Sequence, residues 1–192
     1  GTSDFISNLN KIGFNEQLEF PLSLAKSKYS NSDTIESEGK LADSGFGQGN
    51  ILVNPIHMAS IYSAFANNGS MVKPYIEYKK DSKGEFWKEN VFSEETANAI
   101  KNALIQVVEN PEGTANDMRI SGKTIAGKTG TAELKQDKND NDSGTLGWFD
   151  CFTVETDEKD NLLVISMVEN TQNNSNGGSH YLIKKIRNLL MQ

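Results

Sequence analysis

The sequence predicts an α+β fold in which an antiparallel sheet is covered by helices. Three observations carry this. Apolar residues recur at helical spacing in several stretches before residue 110; three strand candidates follow in tandem between residues 124 and 168; and the chain closes on one amphipathic helix. With 192 residues, 36% hydrophobic and 23% charged, the chain is long enough for one domain with a core, or for part of a larger one.

Residues 1 to 14 read as a short amphipathic helix. Phe5, Ile6, Leu9 and Ile12 fall at helical spacing, and Gly13 stands where a helix stops. Residues 15 to 50 read as irregular, with "SKYSNSDTIESEGK" a polar surface loop. The segment "NPIHMASIYSAFANNG" predicts a buried helix. Asn54 fits its N-cap, Pro55 its first turn, and Asn67-Asn68-Gly69 a left-handed stop. A hairpin is expected from Val72 to Trp87, turning at "KKDSKGE". Ser93 caps the next helix, whose first turn holds Glu94 and Glu95 and whose apolar face carries Ile100, Leu104, Val107 and Val108; "NPEGT" ends it.

The strand candidates span about 124 to 134, about 146 to 154 ("LGWFDCFTV") and about 161 to 168 ("NLLVISMV"), with a polar loop over 135 to 145. The closing helix, "SHYLIKKIRNLLMQ", presents Leu182, Ile183, Ile186, Leu189 and Leu190 on one side.

The formal net charge of −7 and a pI of about 4.9 argue against a binder of nucleic-acid phosphates, which needs a basic stripe. The single Cys151 excludes an internal disulfide and a cysteine-based zinc site, and its apolar setting predicts a buried strand residue. No apolar run reaches membrane-span length. A start at Gly1-Thr2, without Met, reads as a trimmed chain.

The stretch with the most chemistry is "AGKTGTAEL", residues 126 to 134. Recognition of an anion along a strand edge calls for a cation, hydroxyl donors and backbone N–H groups. Side chains alternate along a strand, so Lys128 and Gly130 are expected on one face and Thr129 and Thr131 on the other. Gly130 inside a strand suggests close approach by a ligand or another backbone. Taken alone, Lys-Thr-Gly also fits a surface strand with an ordinary lysine and a bulge glycine.

Its surroundings decide between them. "GKTGTAE" followed by "GWF", with "SGFGQGNILVNPIHMASIYSAFANNGSMVKPYI" upstream, resembles the transpeptidase domain of class B penicillin-binding proteins, in wording particularly the low-affinity methicillin-resistance type of Gram-positive bacteria. The likeness covers essentially the whole chain. It implies the C-terminal part of the penicillin-binding and serine β-lactamase-like transpeptidase fold. It also implies peptidoglycan cross-linking from D-Ala-D-Ala stem peptides, acylation by β-lactams, no metal or cofactor, and a membrane-anchored parent at the outer face of the cytoplasmic membrane. By the same resemblance Lys128 would sit beside the nucleophile and take part in proton transfer. Thr129 and Thr131 would bind the substrate carboxylate, the N–H of Thr131 would be an oxyanion donor, and Gly130 would keep the edge open to the acyl group.

That family's nucleophile lies in a Ser-x-x-Lys motif, with a second motif of the Ser-x-Asn kind. Two stretches fit the first by letter, "SLAK" (Ser23 to Lys26) and "SEGK" (Ser37 to Lys40). The first follows Pro21 in a polar loop, and the second holds a glycine where a helix should run, so neither suits. Residues 1–192 are therefore expected to be the C-terminal portion of the domain, lacking both motifs and unable to acylate alone, with some self-association through the face left bare. The alternative is a non-catalytic sensor of penicillin or peptidoglycan.

Other candidates are weaker. "DKNDNDSG" places Asp137, Asn139 and Asn141 like the start of a calcium loop, but has Asp142 at the glycine position and Trp148 at the bidentate glutamate position. His57 and His180 lack metal-ligand spacing and are expected in packing or surface roles. Gly47-Gln48-Gly49 reads as a tight turn, Trp148 as core support, and Glu133 as a hydrogen-bond or ion-pair partner.

Overall fold

In a computed structural model, residues 1–77, 80, 84–134, 144–154, 161–169, 171 and 178–192 are described. The calcium-loop candidates Asp137, Asn139 and Asn141 and most of the expected turn at residues 79–85 lie outside them. The chain divides into two units, Gly1–Ala97 and Asn98–Gln192.

The first unit begins with α1 (Thr2–Lys11), followed by Gly13 at φ +93°. That conformation favours glycine, and a Cβ there would meet Trp87 Cη2 at 2.4 Å. The polar segment is less irregular than its composition suggests, because α2 spans Glu38–Gly45. Ser37 caps it by accepting a hydrogen bond from the Lys40 amide, and Lys40 pairs with Glu36 one turn back. Gly39 thus sits within the first turn of a helix, where an irregular segment is expected; the cap and the ion pair offset the glycine's cost of about 0.5–1 kcal/mol.

Helix α3 (Pro55–Ala66) follows the sequence closely. The Asn54 side chain accepts from the Ile56 amide at 2.8 Å, and Asn68 and Gly69 adopt φ of +50° and +98° at the stop. A side chain at Gly69 would collide with the Phe92 carbonyl at 2.1 Å. Ile61, Ala64 and Phe65 are buried, with Phe14, Leu18, Tyr29, Met71 and Val91 also in the core of this unit. The expected hairpin shrinks to β1 (Met71–Val72) against β2 (Phe86–Lys88), with a register shift between Met71 and Val72.

Helix α4 (Glu94–Glu109) starts at the end of the first unit, where Ser93 Oγ accepts from the Thr96 amide at 3.1 Å. The second unit continues through a 3-10 turn (Asn116–Met118) into an antiparallel sheet in the order β3 (Ile125–Glu133), β4 (Thr145–Thr153), β5 (Leu163–Val168). Helix α5 (Gly178–Leu190) covers one face. Leu182, Ile183, Ile186 and Leu190 join Val108, Met118, Ile125, Phe149 and Cys151 in the core, whereas Leu189, expected on the buried side, is 56% exposed. The apolar stripe of α5 is narrower than its sequence allows. The helix begins in direct contact with β4: a Cβ on Gly147 would lie 2.4 Å from Gly178 Cα, so only glycine fits at that crossing.

Candidate active site

The pairing of β3 with β4 determines what the Lys-Thr-Gly strand offers. The ladder runs without a break from Ile125↔Thr153 to Glu133↔Thr145. Just beyond its ends, the Val154 amide donates to Thr124 O at 2.8 Å and the Leu134 amide donates to Gly144 O at 3.0 Å. Bonded and non-bonded pairs alternate in an antiparallel ladder. Even-numbered residues of β3 therefore bond to β4, and odd-numbered ones turn their N–H and C=O groups away from it. Thr129 and Thr131 are odd. Among the described residues β3 has no strand on its other side, so these groups line an outer edge.

Side chains follow the same alternation. Thr129 and Thr131 share the face of Phe149 and Gly147, while Lys128 and Gly130 share the opposite face with Asp150 and Trp148. Lys128 is exposed, and its Nζ donates to Thr129 O at 2.7 Å, which brings the cation to the outer edge. The Thr129 hydroxyl lies 2.8 Å from that of Thr114. Thr131 is exposed toward the end of the strand. Lys128, Thr129, Gly130 and Thr131 thus lie on one strand, with Lys128 and Gly130 on one face and Thr129 and Thr131 on the other, as the alternation predicts; the backbone groups of Thr129 and Thr131 face the outer edge and the Lys128 ammonium reaches it. The structure also gives Gly130 a packing reason: a Cβ would lie 3.2 Å from Trp148 Cβ, tighter than ordinary contact. A Cβ at Gly127, on the other face, would meet Phe149 Cε2 and Cys151 Cβ, each at 3.2 Å.

Asp150, directly across from Lys128, was not singled out from the sequence. It is 4% exposed and accepts from the Ser166 amide at 3.2 Å, yet makes no ion pair with Lys128. Burial raises its carboxyl to about 7, against the lowering effect of the Ser166 amide. An acidic residue inside the apolar run "GWFDCFTV" was the available signal. Cys151 beside it is fully buried; burial, and then the neighbouring Asp150 charge, push its thiol up to about 12. It is an inert core residue.

The look-alike serines both belong to the first unit. Ser23 lies in an exposed segment outside the helices and strands, and Ser37 is an exposed helix cap whose Oγ engages the Lys40 backbone. His57 is 3% exposed. Its Nε2 lies 2.7 Å from Ile12 O, an acceptor, so Nε2 carries the proton and Nδ1 accepts from the Ser27 hydroxyl at 2.6 Å. Ser27 Oγ in turn accepts from the Asn54 amide at 2.9 Å. This Ser–His pair is a closed packing network. His180 is exposed in the first turn of α5, and Glu133 is exposed at the end of β3. Gly47 and Gly49 adopt φ of +80° and +71° in the expected tight turn, which follows α2. Among the described residues no three His, Cys, Asp or Glu side chains gather as a metal site, and no helix is long and apolar enough to cross a membrane.

Comparison with known proteins identifies the family. The profile of the penicillin binding protein transpeptidase domain matches residues 1–190. Penicillin-binding protein 3 of Bacillus subtilis is 38% identical over 187 residues, 97% of this chain and 27% of that protein. Stage V sporulation protein D of the same organism is 38% identical over 105 residues, 50% of this chain and 16% of that protein. In fold, penicillin-binding protein A of M. tuberculosis, solved as a ceftriaxone acyl-enzyme complex, superposes with a TM-score of 0.78 at 21% identity, covering 100% of this chain and 43% of that one. The transpeptidase domain of Burkholderia pseudomallei penicillin-binding protein 3 gives 0.74 at 19% identity, over 99% of this chain and 57% of that one. The chain thus spans about a quarter of its full-length Bacillus relative and about half of the solved chains. With an unbroken profile match and an Ala-Gly-Lys-Thr-Gly-Thr edge strand, it belongs to the penicillin-binding protein transpeptidase domain family, in its class B branch.

Proposed function

We propose that residues 1–192 are the C-terminal portion of a peptidoglycan D,D-transpeptidase domain, supplying the substrate-binding edge to a serine that lies in preceding chain. The observation that carries this reading is the outer edge of β3, where the backbone groups of Thr129 and Thr131, two hydroxyls and the Lys128 ammonium converge. A D-Ala-D-Ala terminus is an extended peptide ending in a carboxylate, and an open strand edge flanked by a cation fits it. In the reaction, the serine hydroxyl would attack the penultimate carbonyl while its proton passes to a neighbouring base, and the Lys128 ammonium would assist that transfer through its positive potential. The base would hand the proton to the nitrogen of the departing D-alanine; an amine of a neighbouring stem would then take the acyl group, its proton returning to the serine oxygen. The Thr131 amide would be one oxyanion donor; such a donor is typically worth about 2.7–4 kcal/mol in the transition state. β-Lactams would acylate the same serine. The parent would be anchored at the outer face of the cytoplasmic membrane, where peptidoglycan lies. The resistance-type wording stays a resemblance of sequence, because drug affinity is set largely around the serine.

The test is intact mass after incubation with a reactive penicillin. The full-length protein is expected to gain one penicillin per chain, and residues 1–192 alone none. A stoichiometric adduct on residues 1–192 that disappears in Ser23→Ala would overturn the division of the site. A full-length protein that binds penicillin without an adduct would be a sensor instead. Light scattering on residues 1–192 should show self-association; a clean monomer at high concentration counts against the bared face.

A further inference from the structure

The turn that follows α4 is more heavily constrained than a helix stop requires. Asn110 Oδ1 accepts from the Glu112 amide at 2.9 Å, and the Gly113 amide donates to Asn110 O at 2.8 Å. Gly113 lies so close to the end of α4 that a Cβ would meet Val107 O at 2.2 Å. Ala115 is fully buried and donates to Val107 O at 3.1 Å. The Asn116 side chain donates to Val108 O and Asn110 O, both at 3.0 Å. Four residues of a six-residue segment are thus tied to the helix end. Thr114, between the crowded glycine and the buried alanine, is exposed, and its hydroxyl meets Thr129 Oγ1 at 2.8 Å. The turn serves as a rigid mount for one hydroxyl, placed on the Lys-Thr-Gly strand.

Each hydroxyl has one proton to donate and two lone pairs. If Thr129 donates to Thr114, its proton is spent within the protein. If Thr114 donates to Thr129, the Thr129 proton is available to an incoming acceptor, and the paired hydroxyls polarise one another. A carboxylate at the edge of β3 accepts only, so it selects the second arrangement. Resting on the transpeptidase reading above, we propose that Thr114 is a positioning residue: it donates to Thr129 and so fixes the Thr129 hydroxyl as a donor to the carboxylate of the stem peptide or β-lactam. Thr114 itself touches no reacting atom.

The experiment uses the full-length protein and compares a penicillin with its methyl ester, which lacks the carboxylate charge. In Thr114→Val the second-order acylation rate with the acid should fall about fivefold, the size of one hydrogen bond, while the ester rate stays within about twofold. Thr114→Ser, which keeps the hydroxyl, should restore the acid rate to within about twofold. Equal slowing of acid and ester would mean a purely structural turn and would overturn this assignment alone, as would no change with either. A wild type acylated by neither compound overturns the transpeptidase reading and the assignment with it.

Discussion

His57 in the first unit and Asp150 in the second are both nearly buried titratable side chains, at 3% and 4% exposure, and they are handled in opposite ways. His57 has a partner for each ring nitrogen and an aromatic on two sides, Phe14 at 5.3 Å and Trp87 at 5.4 Å between centroids. It joins Ile12, Ser27 and α3 into one knot. Asp150 has a single backbone donor, the Ser166 amide, and no cation, although Lys128 stands next to it across the strand. A satisfied buried polar group is scaffold. An under-satisfied one is held at a cost, and here it lies on the same sheet face as the lysine of the candidate site.

Burial favours the neutral form of both, and the consequence for stability has opposite signs. The folded-state value of His57 is lowered from 6.5, chiefly by burial. Its contribution is complete above about 6.5 and is lost as pH falls through the lower folded value. Asp150 is raised from 3.8 to about 7. Its contribution is complete below about 3.8 and is lost as pH rises through about 7. Just below pH 6.5 the two slopes oppose, so the stability of the wild type should be flatter there than either alone.

The largest effect is expected from His57→Ala, which orphans the Ile12 carbonyl and the Ser27 hydroxyl and opens a cavity. Urea unfolding at pH 7.5 should show a loss of about 3 kcal/mol, and the variant should then gain stability on acidification from pH 7 to 5. If that variant keeps a flat profile, the two terms were not opposed. Next is Asp150→Asn, which should stabilise by roughly 1–3 kcal/mol at pH 8, with a gain that shrinks toward pH 4 and an acid limb below pH 6.5 that the wild type masks. Destabilisation at pH 8 would mean that the charged form is paired after all. Ser27→Ala should cost about 1–2 kcal/mol by calorimetry, since it strips partners from His57 Nδ1 and the Asn54 amide together. The smallest effect belongs to Glu16→Gln. Its charge favours protonated His57, so the variant's acid limb should move a few tenths of a pH unit lower in an NMR titration.

Where neighbouring residues decide, the sequence was legible. Asn54-Pro55 and Asn67-Asn68-Gly69 delimit α3 because caps and left-handed stops are local chemistry, and the alternating apolar runs set all three strands of the sheet to within a residue or two. The motif order placed Lys128, Thr129, Gly130 and Thr131 on one strand and assigned the family. What local pattern misjudged has a local reason too: Gly39 hid α2 from a composition-based reading, although Ser37 and the Glu36–Lys40 pair hold that helix.

Only the tertiary structure decided which edge of β3 has no neighbouring strand among the described residues, because strand order depends on residues far apart in the chain. It alone brought Thr114 to Thr129 across fifteen positions and Ser27 to His57 across thirty. It also left Leu189 in solvent and buried Asp150, since an amphipathic pattern names the candidates for burial but the width of the partner surface selects among them. The type of each element was written in adjacent residues. Which hydroxyl, carboxylate or ring meets which was fixed by chain reversal and packing, which no short stretch encodes.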